Sequence, residues 1–386
     1  MAETVDSGLE DLALTWSGRA IDIGRIESEL GKLRYMVAGG RTDGDGFALR
    51  TSLLNMVVYA EREEKTDFAG RVIEDLASHH PSRALIVLAR PAGGESRIEA
   101  QLAAHCHISR SLDQSVCCEE ITLRVTGPAA LHLHSVIVPL LVPDLPVYVW
   151  WTEPLPADSH LFLQLMETAD HVIVDSALFE DQLEDLLRLV ELAEQQPRTT
   201  IGDLNWRRLE PWRDFFDRQQ NVAEMRHHLS SVKSVEIRYA SGHGPHKPAQ
   251  AFLLLAWLAR ELGWDTPSLA AHSGRRLTFR AEDGRQISAY LHGVPYAAVE
   301  PGGLVSVKIA CQSETARAML SISRTGDPFH LAVRTEHRGG AIEEHVRFEP
   351  AEPSALLIQE LDTAPHDPEY SYILRSAVPL ITAVGA

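Results

Sequence analysis

Enzyme chemistry needs a nucleophile, an acid–base pair, a metal or a bound cofactor, and each leaves a recognisable spacing of residue types. The histidines occur as His105-Cys106-His107, His132-Leu133-His134, His227-His228, and His243 with His246. On a strand His105 and His107 share one face, which suits a metal, whereas on a helix His132 and His134 diverge. No pair has the H-x-x-x-H helical spacing or a C-x-x-C partner, so no metal ligand is assigned and these read as surface or packed histidines. The segment 242–247, GHGPHK, has the glycines and lysine of a phosphate loop, but Pro248 stands where that loop needs a hydroxyl residue, leaving a flexible basic loop. No G-x-G-x-x-G follows a strand and no G-x-S-x-G elbow occurs, so the sequence predicts no catalytic residue and no cofactor held in a Rossmann manner.

Cysteine and tryptophan supply the remaining candidates. Of four cysteines, Cys117 and Cys118 are adjacent, which makes no disulfide framework and fits a reducing cytoplasm. Neighbours on a strand point to opposite faces, and free thiols default to small buried apolar groups. Trp150 and Trp151 end an apolar run and must also face opposite ways: one is core and the other covers something else. The segment 202–213, GDLNWRRLEPWR, packs Trp206, Trp212, Arg207, Arg208 and Arg213 into twelve residues. Arginines there can stack on the rings or fork a carboxylate, and Trp and Arg are the types most enriched at binding hot spots. The same rings would equally serve to pin a long helix, carrying Phe216, Val222, Met225 and Leu229, onto a sheet.

The elements that must position these residues follow from periodicity. Residues 131–141 read as a helix with an apolar stripe of Leu133, Val136, Ile137, Leu140 and Leu141, loosened at its end by Pro139. A fully buried strand, 145–151, follows. Before it, residues 1–19 are polar and read as loosely held, and an amphipathic helix runs from Ile23 to Val37. A strand at 51–60, a helix at 66–78 and a strand at 83–89 form a right-handed crossover, and strands 97–108 and 115–125 form an antiparallel hairpin. After it come a helix capped by Ser159, a short strand at 171–175 and a helix carrying Phe179, Leu183, Leu186, Leu187 and Val190. This alternation predicts a mostly parallel, doubly wound α/β domain over residues 1–235. Asp175 and Ser176 then fall at a strand's C-terminal end, as helix caps or as ligands. From Ala249 the apolar residues crowd all round, with Phe252 to Leu255, Trp257 and Leu258, and predict a buried helix ended by Gly263. Strands at 276–281 and 286–291, with Gly284 in the turn, and at 304–311, 318–324, 329–335 and 342–348 predict an antiparallel meander. With closing helices at 353–361 and 368–378, residues 236–386 read as an α+β domain.

Composition closes off other classes. A net charge of −18 argues against nucleic acid or an anionic membrane as partner, and 45% apolar with 23% charged residues is ordinary for a globular chain of 386. No apolar run reaches the roughly 20 residues that span a bilayer, and the acidic N-terminus MAETVDSGLEDL carries no secretory core.

Five segments together resemble a known family. SVIVPLLVPDLPVYVWW at 135–151, DHVIVDSA at 170–177, DLNWRRLEPWR at 203–213, CCEEITL at 117–123 and AFLLLAWLARELGW at 251–264 are similar to segments of the OpcA-type glucose-6-phosphate dehydrogenase assembly proteins. The resemblance is strongest over about residues 80–265 and keeps the family's order. It implies a non-catalytic protein that binds glucose-6-phosphate dehydrogenase, promotes its active oligomer as an allosteric activator, and so serves the oxidative pentose phosphate pathway. On that reading the partner anchors are one of Trp150 and Trp151, with Trp206, Arg207 and Trp212, and thioredoxin-linked control would involve Cys117 and Cys118. A different class remains open: a sugar-phosphate sensor or enzyme using a strand-end crevice near Asp144, Asp175 and Asp203.

Overall fold

A computed structural model describes residues 9–19, 23–37, 52–92, 94–109, 114–156, 160–242, 247–265, 276–313, 316–363 and 368–385. The chain divides into two compact units: Met1–Val174 with Gln196–Ile201 and Pro353–His366, and Asp175–Gln195 with Gly202–Glu352 and Asp367–Ala386. The boundary expected near residue 235 falls inside a strand of the second sheet. Segments 175–195 and 202–235 belong with the second unit because their helices pack on its buried central helix.

In the first unit the chain runs through β1 (Leu9–Arg19), α1 (Ile23–Val37), β2 (Leu54–Ala60), α2 (Glu63–Leu76) and β3 (Ser82–Arg90). It continues through β4 (Arg97–Ser109), β5 (Gln114–Thr126), α3 (Leu133–Ile137), β6 (Val147–Trp151), α4 (His160–Thr168) and β7 (His171–Val174). Parallel pairing joins β5 to β3, β3 to β2, β2 to β6 and β6 to β7, while β4 pairs antiparallel with β5 and with β1. The first sheet is therefore mostly parallel. Every residue of β2 is buried, as expected of a strand covered on both faces. The strand order reverses at the β2–β6 pair, since β3 and β5 lie to one side of it and β7 to the other.

Two buried polar groups fix the approach to β6. Asn55 donates to the carbonyls of Val142 and Leu145 and accepts from the Val142 amide at 2.8 Å, so one amide side chain satisfies three groups of the incoming loop. In that loop Asp144 adopts φ +65°, a left-handed turn between Pro143 and Pro146. Arg83, 1% exposed, donates to Glu119 at 2.7 Å, to the Leu140 carbonyl at 2.9 Å and to Glu27 of α1. Gly127 closes β5 with φ +66°, where an added Cβ would stand 2.5 Å from the Gly94 carbonyl oxygen.

The helix expected over 131–141 is only α3, five residues long, with a 3₁₀ turn on each side. Pro139 withholds the amide that a continuous helix would need, and before α3 the backbone of His132, at φ −125° and ψ 42°, leaves the helical region. Residues 9–19, read as loosely held, pair instead with β4 as strand β1; the alternation of Leu12, Leu14 and Trp16 is the period-two signal for it. Ser159, expected to cap α4, lies outside the described residues.

Next come α5 (Gln182–Gln195), β8 (Thr200–Asp203), α6 (Leu204–Arg207), α7 (Glu210–Asn221), α8 (Ala223–Leu229), β9 (Val232–Ser241) and α9 (Ala249–Glu261). The single long helix expected to carry Phe216, Val222, Met225 and Leu229 is two helices, α7 and α8, parted by extended backbone at Val222. β8 is the last strand of the first sheet's order.

The second unit's sheet is built from β9, β10 (Trp264–Asp265), β11 (Arg276–Ala281), β12 (Gln286–Pro295), β13 (Leu304–Gln312), β14 (Arg317–Arg324), β15 (His330–His337) and β16 (Gly340–Arg347). α10 (Pro353–Asp362) belongs to the first unit and α11 (Pro368–Gly385) to the second. The order is β10-β11-β12-β9-β13-β14-β15-β16. All its pairs are antiparallel except β12 with β9, so the meander of β13 to β16 stands beside a strand inserted from earlier in the chain. Val235, Ile237, Leu291, Ile309, Leu320 and Val333 turn to one buried face. Against it lies α9, whose residues from Ala249 to Ala259 are buried without interruption, with α5 and α11 also packed on that helix.

Candidate functional site

Open α/β sheets bind ligands where the strand order reverses, beyond the strands' C-terminal ends. In the first unit that place is the end of β2 and β6, and it is filled by the chain's own side chains. Trp151 stacks on Tyr59 with ring centroids 4.0 Å apart and meets Phe162 edge-on at 5.0 Å, while its indole donates to the Pro154 carbonyl at 3.1 Å. Trp150, on the opposite face, lies 6.2 Å from Phe68. Above the rings the Tyr59 hydroxyl donates to Glu61 at 2.9 Å, and Glu153 accepts from the Glu61 amide at 3.0 Å. Lys65 of α2 forms an ion pair with Glu153 at 3.0 Å and donates to the Thr152 carbonyl. Burial, then the Glu61 and Glu153 carboxylates, push the Tyr59 hydroxyl far above its usual range, so it stays a neutral donor.

This corner is chemically unsuited to a dinucleotide. A helix N-terminus attracts phosphate through free amides and positive dipole. Here Glu61, Glu63 and Glu64 surround the start of α2, Arg62 provides no capping bond, and no glycine allows close approach. Lys65, the cation nearest the crevice, is already held by Glu153.

A second carboxylate cluster lies in the second unit. Asp203, fully buried at the end of β8, accepts from the Ser176 and Asn205 amides at 3.0 and 2.8 Å and from the Ser176 and Tyr370 hydroxyls at 2.7 and 3.2 Å. Asn205 donates to Ser176 at 3.0 Å and accepts from Gln250 at 2.7 Å, and Gln250 accepts from the Leu304 amide at 3.1 Å. Burial, with the Asp175 charge behind it, pushes the Asp203 carboxyl up to about 6, against the lowering effect of its hydrogen bonds. Asp175 accepts from the Ala177 amide at 3.1 Å and is forked by Arg208 at 2.7 and 2.8 Å. Asp175 and Asp203 are thus occupied as caps, while Asp144 is an exposed turn residue of the other unit. Lys247, from the glycine-rich segment, donates to the Ala177 carbonyl at 3.0 Å; residues 243–246 lie outside the described residues.

The five expected anchors are all interior. Trp206 is fully buried, 6.1 Å from the Tyr370 ring, with the Arg213 guanidinium 3.8 Å from its own ring centroid. Arg213 pairs with Glu369 at 3.0 Å, and that carboxylate also accepts from the Trp257 indole at 3.1 Å. Trp212 lines a cavity of only about 10 Å³ with Phe216, Trp257 and Leu320. Arg207 is buried, as are Trp150 and Trp151. As placed, these side chains are packed inside their units and not presented at a surface.

The remaining candidates resolve individually. Cys118 is buried, donates to the Ala77 carbonyl at 3.6 Å, and has its thiol pushed up by burial, the reverse of a reactive thiolate. On the backbone, Cys117 stands opposite Cys106 in the β4–β5 register; those side chains, with His105 and His107, lie outside the described residues. His134 hydrogen-bonds Thr168 at 2.8 Å. Sequence reasoning missed a buried relay in which His171 joins Thr200 at 2.5 Å and Glu360 at 2.9 Å. It has the residue types of a nucleophile–base–acid set, but His171 and Thr200 open their strands, the end opposite to where such sheets place ligands. Among the described residues no group of three or more His, Cys, Asp or Glu could hold a metal, and no helix is long and apolar enough to cross a membrane.

Comparison with known proteins fits the way both units are filled. Residues 73–191 match the glucose-6-phosphate dehydrogenase subunit N-terminal domain of the OpcA assembly family, and residues 199–374 match its C-terminal domain. The chain belongs to the OpcA family. It is 30% identical over 312 residues to the OxPP cycle protein OpcA of Synechococcus elongatus, covering 78% of this chain and 67% of that protein. With the OpcA proteins of a Synechocystis strain and of Nostoc punctiforme it is 34% identical, over 68% and 70% of this chain. The chain spans 56% and 58% of the length of those two relatives. Among solved structures, an NAD binding oxidoreductase from Klebsiella pneumoniae superimposes with TM-score 0.48 at 11% identity over 86% of this chain and 96% of that one, too loose a likeness to assign fold or chemistry.

Proposed function

We propose that this OpcA-family chain is a non-catalytic partner of glucose-6-phosphate dehydrogenase that assembles with the enzyme in the cytoplasm and favours its active oligomer. The observation that carries this reading is the match of both parts of the chain, 73–191 and 199–374, to the two domains of a dehydrogenase subunit family. The filled reversal point supports it from the other side. With Trp151, Glu153 and Lys65 occupying the crevice, the chain is better suited to present a shape than to hold a substrate.

A partner shifts an equilibrium only by binding one state more tightly than the other. Activation through the oligomer therefore requires a surface complementary to the assembled enzyme and not to its inactive form. In this reading Trp206, Arg207 and Trp212, with Trp150 and Trp151, hold that surface rigid from within. Thioredoxin control through Cys118 finds no support in a buried thiol pushed up by its surroundings.

The test is the activity of the cognate glucose-6-phosphate dehydrogenase with and without this chain, alongside the mass of the species by size-exclusion light scattering. A rise in activity with a new co-eluting complex supports the assignment. Co-elution without a rate change reduces it to a scaffold, and neither effect removes it.

A further inference from the structure

The buried face of the second unit's sheet is not covered to its end. α9 lies over β9 and α8 over β13, whereas no residue of the edge strand β16 is buried. There the break between α7 and α8 forms one wall of a groove and β15–β16 the other, enclosing about 320 Å³. Met225 and Val333, both 4% exposed, lie buried at its base. Val222, 51% exposed, and Ile342, 58% exposed, line the same groove and are among the most exposed large apolar side chains of the described residues. An apolar core seam has been left open, which soluble chains rarely do without a partner.

The rim states what kind of partner. Its carboxylates are Glu224 and Glu344, the imidazoles of His228 and His337 also line the groove, and neither lysine nor arginine does. The His337 ring stands 3.8 Å from Glu224, whereas Arg334, on the alternate face of β15, is engaged by Glu336 and Glu343. In a chain of net charge −18 this rim calls for a cationic complement. β16 itself reads GAIEEHVR, and charges at Glu343, Glu344, His345 and Arg347 guard its edge against another strand. The open position lies on the face, where the next helix of the covering layer would sit.

We propose that this groove receives an amphipathic helix of glucose-6-phosphate dehydrogenase, one that sets apolar side chains at i and i+3 or i+4 over Val222 and Ile342 and lysines or arginines against Glu224 and Glu344. This rests on the partner assignment made above. It adds the surface and the chemistry of the segment that docks.

The experiment measures binding of the full chain to the dehydrogenase by interferometry, with activation read in parallel. It compares wild type, a Val222→Asp/Ile342→Asp double variant and a Glu224→Lys/Glu344→Lys double variant. All four side chains are exposed or at the rim, so the variants retain the fold, checked by circular dichroism and melting temperature. The apolar variant weakens binding about tenfold or more, the scale of a hot-spot loss. The charge variant weakens it as well and flattens its dependence on salt. If wild type binds and the apolar variant binds equally well, the groove is overturned while the partner assignment stands. If wild type does not bind, both fall. If the chain alone is a dimer that the apolar variant makes monomeric, the groove's occupant is a second copy and the dehydrogenase helix is refuted.

Discussion

Asp203 offers the sharpest test of the structure. Its carboxylate sits with no solvent exposure beside Asp175, and its carboxyl is pushed from 3.8 to about 6. In the unfolded chain both effects vanish. A group whose folded value is raised binds its proton more tightly in the native state. Its contribution to stability is therefore complete below about pH 3.8 and is lost as pH rises through about 6. At about 1.4 kcal/mol per pH unit, the interval amounts to about 3 kcal/mol. Asp203→Asn isolates this amount. The amide oxygen can keep the Ser176 and Asn205 amides, and its nitrogen can donate to the Ser176 and Tyr370 hydroxyls in place of accepting from them. Urea unfolding of wild type and variant at pH 4.5 and at pH 7.5 gives four free energies, and their double difference cancels every titrating group not coupled to Asp203. Wild type should lose about 2 kcal/mol more than the variant across that interval. Equal pH dependence in the two proteins would refute the buried, proton-binding Asp203 on which the reasoning depends.

Other outcomes follow from the same structure. Lys65→Met leaves Glu153, 6% exposed, with only the more distant and exposed Arg62 at 3.8 Å, and should cost about 2 kcal/mol in urea unfolding. Adding Glu153→Gln should restore most of it, and no restoration would show that the pair is not coupled. Trp206→Ala removes a fully buried ring and should cost about 3 to 5 kcal/mol, and a loss under 1 kcal/mol would contradict its core placement. Cys118 and Cys311, both buried, with the Cys311 thiol pushed up to about 12, should resist a small disulfide reagent at pH 8 until the chain is unfolded. Rapid native-state labelling of Cys118, located by mass spectrometry, would count against that burial. NADPH fluorescence should not change on titration with the chain, whereas saturable binding in the micromolar range would overturn the account of the filled crevice.

What the sequence made legible was local. The all-apolar run from Ala249 announced a helix buried on every side, and α9 is one. A strand end offered Asp175 as a cap or a ligand, and its side chain accepts from the amide two residues on. Alternation required Trp150 and Trp151 to face opposite ways; it could not show that both faces of β6 are interior, since this depends on Phe68, Tyr59 and Phe162. β9 went unread although Val235, Ile237 and Tyr239 alternate, because Lys233, Ser234, Glu236 and Arg238 between them make the stretch polar on average. The pairing of Lys65 with Glu153 joins residues 88 positions apart, and nothing in either neighbourhood signals the other. The open groove was invisible for the same reason: Val222 and Ile342 become neighbours only once β16 has been laid beside β15.

The interleaving of the two units has a consequence for synthesis. The first unit takes its last segment from Pro353–His366, and the second reaches back to Asp175 and forward to Asp367. While the ribosome is still adding residue 340, His171 has no Glu360 to meet and Asp203 has no Tyr370. Neither unit can finish folding before nearly the whole chain has emerged. Nascent chains of this protein therefore carry unfilled polar clusters and open apolar faces throughout translation, a period in which chaperones have more to protect than in a protein whose domains close one after the other.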